Sequence, residues 1–153
     1  MNKNTFEAEN MKLTCMIGQD NIIYASAAGK MTDANLEVFL AWTADMKALM
    51  HEVSLKQKGI ILTYSEVGAV EFFGRKAIVA LRDLLEEDKQ YHMKSAVVGA
   101  PFFLEKLIDA VVEFTGRTNM RQFSSKEKAI EWLLDKTESP SPAPATPDEE
   151  KTA

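Results

Sequence analysis

The sequence predicts an α/β domain with a mixed, mainly parallel central sheet, an N-terminal hairpin and four helices, and three observations carry that prediction. Two strand-like stretches, "MKLTCMI" and "IIYASAAG", flank Gly18-Gln19-Asp20-Asn21; apolar strand residues on both sides of a turn signal a hairpin. "IILTY", following Gly59, is an apolar run of strand length without alternation, the pattern of a strand covered on both faces and therefore placed mid-sheet. From there strands and helices alternate, and the order strand, helix, strand implies parallel pairing.

The elements follow in order. Residues 1–10 are expected as a flexible terminus, and Leu13, Cys15 and Ile17 mark the first strand. Gly29 is expected to break the second strand, after which Thr32 or Asp33 can cap a helix with Leu36, Phe39, Leu40, Met46 and Met50 on one stripe. The central strand leads through a loop, "TYSEVGAVEFFGRKA", into a second helix on which Val70, Phe73, Ala77, Leu81 and Leu84 share a face. "KSAVVG" is a further buried strand. The third helix has Pro101 in its first turn and Gly116 just past its end, the usual punctuation of a helix. "MRQF" adds an edge strand, and Ser124 with Glu127 forms a capping box for a last helix through "KAIEWLLDK". The domain is expected to span residues 11–137. The segment 138–153 holds four of the five prolines and no large apolar residue, and so is expected to be a disordered tail.

With 153 residues, 46% of them hydrophobic, the chain can bury one sizeable core. Its net charge of -5 and pI near 5.1, with no basic stripe, argue against nucleic-acid binding. No apolar run is long enough for a membrane span, and the single cysteine, Cys15, excludes an internal disulfide framework. These features fit the cytoplasm.

"AAGKMTDANLEVF", "GIILTYSEVGAVEFFG" and "RQFSSKEKAIEWL" together resemble the STAS superfamily of anti-sigma-factor-antagonist-like domains, in its SpoIIAA-like branch, over residues 22–134. The resemblance implies a mixed sheet with packed helices and regulatory protein contacts without substrate turnover. Phosphoswitch members carry Asp, two hydroxyl residues and Gly at the start of the second helix. Setting that Gly at Gly74 puts Glu71 at the Asp and Phe72 and Phe73 at the hydroxyls, so the phosphorylatable group is absent here.

"VEFFG" and "APFFL" repeat one arrangement at two adjacent helix starts, at the sheet edge where α/β domains usually bind their ligands. Helical spacing assigns Phe73 and Phe103 to the core and leaves Phe72 and Phe102 on polar faces. Two uses of the outer rings stay open: hydrophobic staples folded on the first helical turn, or an exposed contact for a protein partner, an apolar small molecule or a second copy of the chain. The expected binding set is Ser65, Glu66, Glu71, Phe72, Phe73, Arg75, Phe102 and Phe103.

Catalytic signals are weak. A hydrolase-like or nucleotide-binding alternative would use the Ser65, Glu66 and Arg75 region, but Ser65 has no Gly-x-Ser-x-Gly elbow. His51 and His92 read as solvated and have no metal-ligand companions, so neither metal nor cofactor is expected. "VVGAPFFLEK" lacks the further glycines of a dinucleotide loop. "TGRTNMR" offers Arg117, Asn119 and Arg121 around a helix end, where positive charge ordinarily compensates the terminal carbonyls.

Overall fold

The computed structural model describes residues 3–57, 59–116 and 119–135. Six strands form one sheet in sequence order: β1 (Asn4–Ala8), β2 (Met11–Ile17), β3 (Ile23–Met31), β4 (Ile61–Phe73), β5 (Met93–Val98) and β6 (Met120–Phe123). β1, β2 and β3 are antiparallel neighbours; β3 to β6 pair in parallel. The helices are α1 (Leu36–Lys56), α2 (Arg75–Asp88), α3 (Phe102–Thr115) and α4 (Lys126–Leu134).

Strand alternation divides the core in two. Leu13, Cys15, Ile23, Ala25, Ile61 and Val97 face α1, α2 and α3, which supply Phe39, Trp42, Met50, Leu84, Leu104 and Ile108. On the opposite face Tyr64, Ala96 and Val98 meet Ala129, Trp132 and Leu133 of α4, with Ile22 beside them. The central "IILTY" run is apolar on both sides because β4 is sandwiched between these layers. Phe39 is the plug of the larger one, with its ring 5.6 Å from Trp42 and 5.4 Å from Phe73. Burying a side chain of this kind is worth about 1.5–3 kcal/mol.

Several local expectations are corrected. Residues 4–8, expected within a flexible terminus, form β1: Asn4, Phe6 and Ala8 are half-buried while Thr5 and Glu7 are exposed, a two-residue alternation. Asn10 makes the turn into β2 with φ 65°, which asparagine tolerates. Gly29 does not end β3, which runs on to Met31 through two register shifts against β4. Its φ is 95°, and a Cβ there would lie 1.9 Å from the Asn10 carbonyl oxygen, which accepts a hydrogen bond from Lys30 N–H at 2.8 Å. Asn35, not Thr32 or Asp33, occupies the N-cap of α1, and its side chain ties down the end of β3 instead of capping: Oδ1 accepts from Thr32 N–H and Nδ2 donates to the Lys30 carbonyl, each at 2.8 Å. Leu40 lies outside the buried stripe of α1, which Trp42 and Val53 complete. Ser125 caps α4 by accepting from Lys128 N–H, one residue later than the predicted box. The predicted tail from residue 138 lies outside the described residues.

Candidate functional site: the carboxyl edge of the sheet

The geometry of this edge is set by the length of β4. Its first six residues pair with β5, and from Thr63 to Glu66 with β3 as well; beyond Glu66 it pairs with β3 alone, as a two-stranded extension ending at Phe73. β5 leaves the sheet after Val98, where Gly99 takes φ 81°. A Cβ at Gly68 would approach the Gly99 carbonyl oxygen to 3.3 Å, so the two chains cross with little room for a side chain.

The strand extension changes the roles expected of the FF pairs. Phe72 and Phe73 do not begin the second helix: they are the last residues of β4, Gly74 is the N-cap and α2 starts at Arg75. The apolar and β-branched content of "VGAVEFF" extends the strand because β3 offers a matching partner up to Lys30 and Met31. Strand alternation then sends the two rings to opposite faces. Phe73 turns inward and meets Phe39 edge-on, with an interplanar angle of 89°. Phe72 turns the other way, beside Lys30, and is 49% exposed.

"APFFL" is a helix start as predicted, although Pro101 is the N-cap residue itself. Phe102 is 74% exposed, with Lys106 Nζ 5.4 Å from its ring centre. Phe103, expected in the core, is also exposed, because the buried stripe of α3 runs Leu104, Ile108, Val111 and Thr115, one position later than the sequence reading placed it. Phe114 on the same outer side is exposed and covered in part by Arg82, 5.2 Å from its ring. Among the described residues no ring contact joins Phe72 to Phe102 or Phe103; the two pairs share an edge but come from different layers.

The residues expected around Ser65 are not brought together. Ser65 points toward α1, α2 and α3, where it lines an internal cavity, whereas Glu66 lies on the other face and accepts a hydrogen bond from Tyr64 Oη at 2.7 Å. Arg75 lies two residues beyond the far end of β4 at Phe73, which is itself roughly 26 Å from Ser65 along the extended chain at 3.3 Å per residue. Glu71 and Arg75 are both exposed. The first helical turn of α2, Arg75-Lys76-Ala77, contains no hydroxyl residue. In the β5–α3 loop the Gly99 N–H donates to the Phe123 carbonyl at 3.0 Å, so this amide is already engaged and does not point at a phosphate.

The candidates elsewhere are structural. His51 and His92 are exposed, and among the described residues no cluster of three metal-ligating side chains occurs. Asn119 donates to the Met93 carbonyl at 2.6 Å and Arg121 lies 5.0 Å from the Trp132 ring; Arg117 is outside the described residues. Cys15 is fully buried and its thiol donates to Asp45 Oδ2 at 3.0 Å; burial, then that carboxylate, push its pKa up and keep it unreactive.

Sequence reasoning missed a polar cluster on the α4 face. Tyr24 and Tyr64 lie with ring centres 5.7 Å apart, and their hydroxyls donate at 2.7 Å to Asp20 and Glu66 respectively. Burial, reinforced by the carboxylates, raises both phenols, Tyr24 to about 12. The available signal was register: Tyr24 and Tyr64 are cross-strand neighbours once β3 and β4 are paired in parallel.

Comparison with solved structures places this architecture. A DUF3478-family protein with a SpoIIAA-like fold from Shewanella loihica superposes with a TM-score of 0.54 at 19% identity, over 82% of this chain and 94% of that one. The fold is SpoIIAA-like, of the STAS type. An anti-sigma factor antagonist from Mycobacterium paratuberculosis superposes with a TM-score of 0.53 at 13% identity, over 80% of this chain and 95% of its own. No protein-family model and no curated protein sequence matches the chain. Among the described residues of this SpoIIAA-like domain, no helix is long and apolar enough to cross a membrane.

Proposed function

We propose that this STAS-like domain is a non-enzymatic regulatory module of the cytoplasm that binds a protein partner at the carboxyl edge of its sheet, without a phosphoswitch. The observation that carries the reading is the exposure of Phe72 and Phe102 at that edge, 49% and 74%. Both sit on backbone made rigid by the sheet or by a helix start, so little order has to be gained on binding. Lys30 is the cross-strand neighbour of Phe72 and Arg75 is exposed at the adjoining start of α2, so charged groups border the apolar ring, the anatomy of protein interfaces. The solved anti-sigma factor antagonist of the same fold supports a protein as the occupant. An apolar small molecule or a second copy of the chain at this edge is the competing occupant. A hydrolase-like use of Ser65 and Arg75 is disfavoured by their separation along β4.

The test is the double variant Phe72→Ser/Phe102→Ser, with partner binding and oligomeric state measured beside the wild type. Binding at least about tenfold weaker is expected, the effect of truncating aromatic anchors at an interface centre. Unaltered binding and unaltered oligomeric state would remove the proposal.

A further inference from the structure

A cavity of about 90 Å³ lies inside the larger layer, between the sheet and helices α1, α2 and α3. Its walls are apolar, with Phe39, Trp42, Met50, Leu84, Leu104 and Ile108 among them. Its floor is different. Beside Val67, Val70 and Val97, the strands contribute Ala27 on β3, Thr63 and Ser65 on β4 and Ser95 on β5, small or hydroxylated positions where a buried strand ordinarily carries Val, Ile or Leu. Thr63 is cross-strand neighbour to Ser95, so the hydroxyls gather on one part of the floor. Thr63 is 5% exposed, and neither its hydroxyl nor that of Ser65 makes a hydrogen bond among the described residues.

Thr63 and Ser65 thus present hydroxyl groups to a largely apolar space. A guest with an apolar body and one polar group matches that lining, since pockets fix a ligand by a few placed polar groups among apolar walls. We propose that this cavity is a binding site for a small neutral amphiphile: an apolar body against the helices and one hydroxyl or carbonyl on Thr63 and Ser65. The space matches the liquid volume of about three waters, or a short chain of roughly five heavy atoms. Methionines in the lining, Met46, Met50 and Met120, can give way for a slightly larger guest. The Asp88 carboxyl group also lines the cavity and is buried, and an anionic head group would have to give up its hydration beside it, which is costly. Phe73 and Ser65 line this site but the exposed Phe72 and Phe102 do not, so it stands whether or not those outer rings bind a protein.

The experiment is titration of the full chain with 1-butanol and, separately, with xenon, followed by methyl chemical shifts of Leu84, Leu104, Ile108 and Met50. Both probes are expected to shift these methyls. In Thr63→Val/Ser65→Ala, 1-butanol is expected to bind about fivefold more weakly, the loss of an ordinary hydrogen bond, while xenon binds as before. Ala27→Leu, which fills the void, is expected to abolish both responses, with circular dichroism confirming the fold of each variant. No response to 1-butanol in the wild type, or equal 1-butanol affinity in the hydroxyl variant, overturns the proposal.

Discussion

At the scale of single residues, what a side chain does here is decided by a few ångströms of backbone. Gly29 is the sharpest case, since any other L residue would combine an unfavourable φ with a collision against the Asn10 carbonyl. Gly29→Ala is expected to lower unfolding stability by at least about 2 kcal/mol, the scale of backbone strain at such positions, and urea denaturation measures it. Tyr24 and Tyr64 make a second prediction. Their neutral phenols are favoured by the fold, so the stability they add is fully present below about pH 10 and is lost as pH rises through about 12 for Tyr24. Absorbance titration near 295 nm should show these tyrosines ionising after free tyrosine, and Glu66→Gln should bring Tyr64 down; late ionisation that survives Glu66→Gln unchanged would place the whole effect in burial. The phenylalanines were legible as apolar residues near an edge, but not their directions. Phe72, whose exposure the sequence left open, is exposed by strand alternation and not by helical phase, whereas Phe103 escaped the core because the stripe of α3 begins one residue later.

At the scale of elements, β5 carries the least expected feature, a lysine within a buried strand. Lys94 is 1% exposed, and its Nζ donates to the carbonyls of Trp132 and Asp135 at 3.0 and 2.8 Å while lying 5.1 Å from the Trp132 ring. The amine thereby satisfies orphan carbonyls at the end of α4 and places positive charge at its negative pole. Lys94→Met keeps the length and removes the donors, and is expected to cost about 1–3 kcal/mol; thermal unfolding of the variant checks it, and an unchanged midpoint would show that α4 docks by apolar contact alone. The element order from β2 to α4 was readable because hairpin, central run and helix punctuation are local signals. Element limits were less so. β1 is a short alternating strand with a glutamate and a threonine outward, easily read as a polar terminus, and β4 runs to Phe73 only because β3 continues beside it, which local sequence cannot announce.

At the scale of the whole molecule, the sheet order and the layer on each face follow from a hairpin feeding parallel strand-helix units, and the resemblance to STAS domains was visible in motif order before the architecture was known. The site was legible only in part. The absence of a hydroxyl ahead of α2 could be read directly, while the distance between Ser65 and Arg75 and the cavity beneath Ser65 depend on strand length and inter-layer packing. The proposed partner-binding edge, built from phenyl rings, implies recognition by desolvation, independent of phosphorylation. Native mass spectrometry of the freshly purified full chain tests this most directly. The account predicts a partner protein on a chain carrying neither phosphate nor nucleotide; a chain bound only to its own copy, a phosphorylated chain or a stoichiometric nucleotide would contradict it.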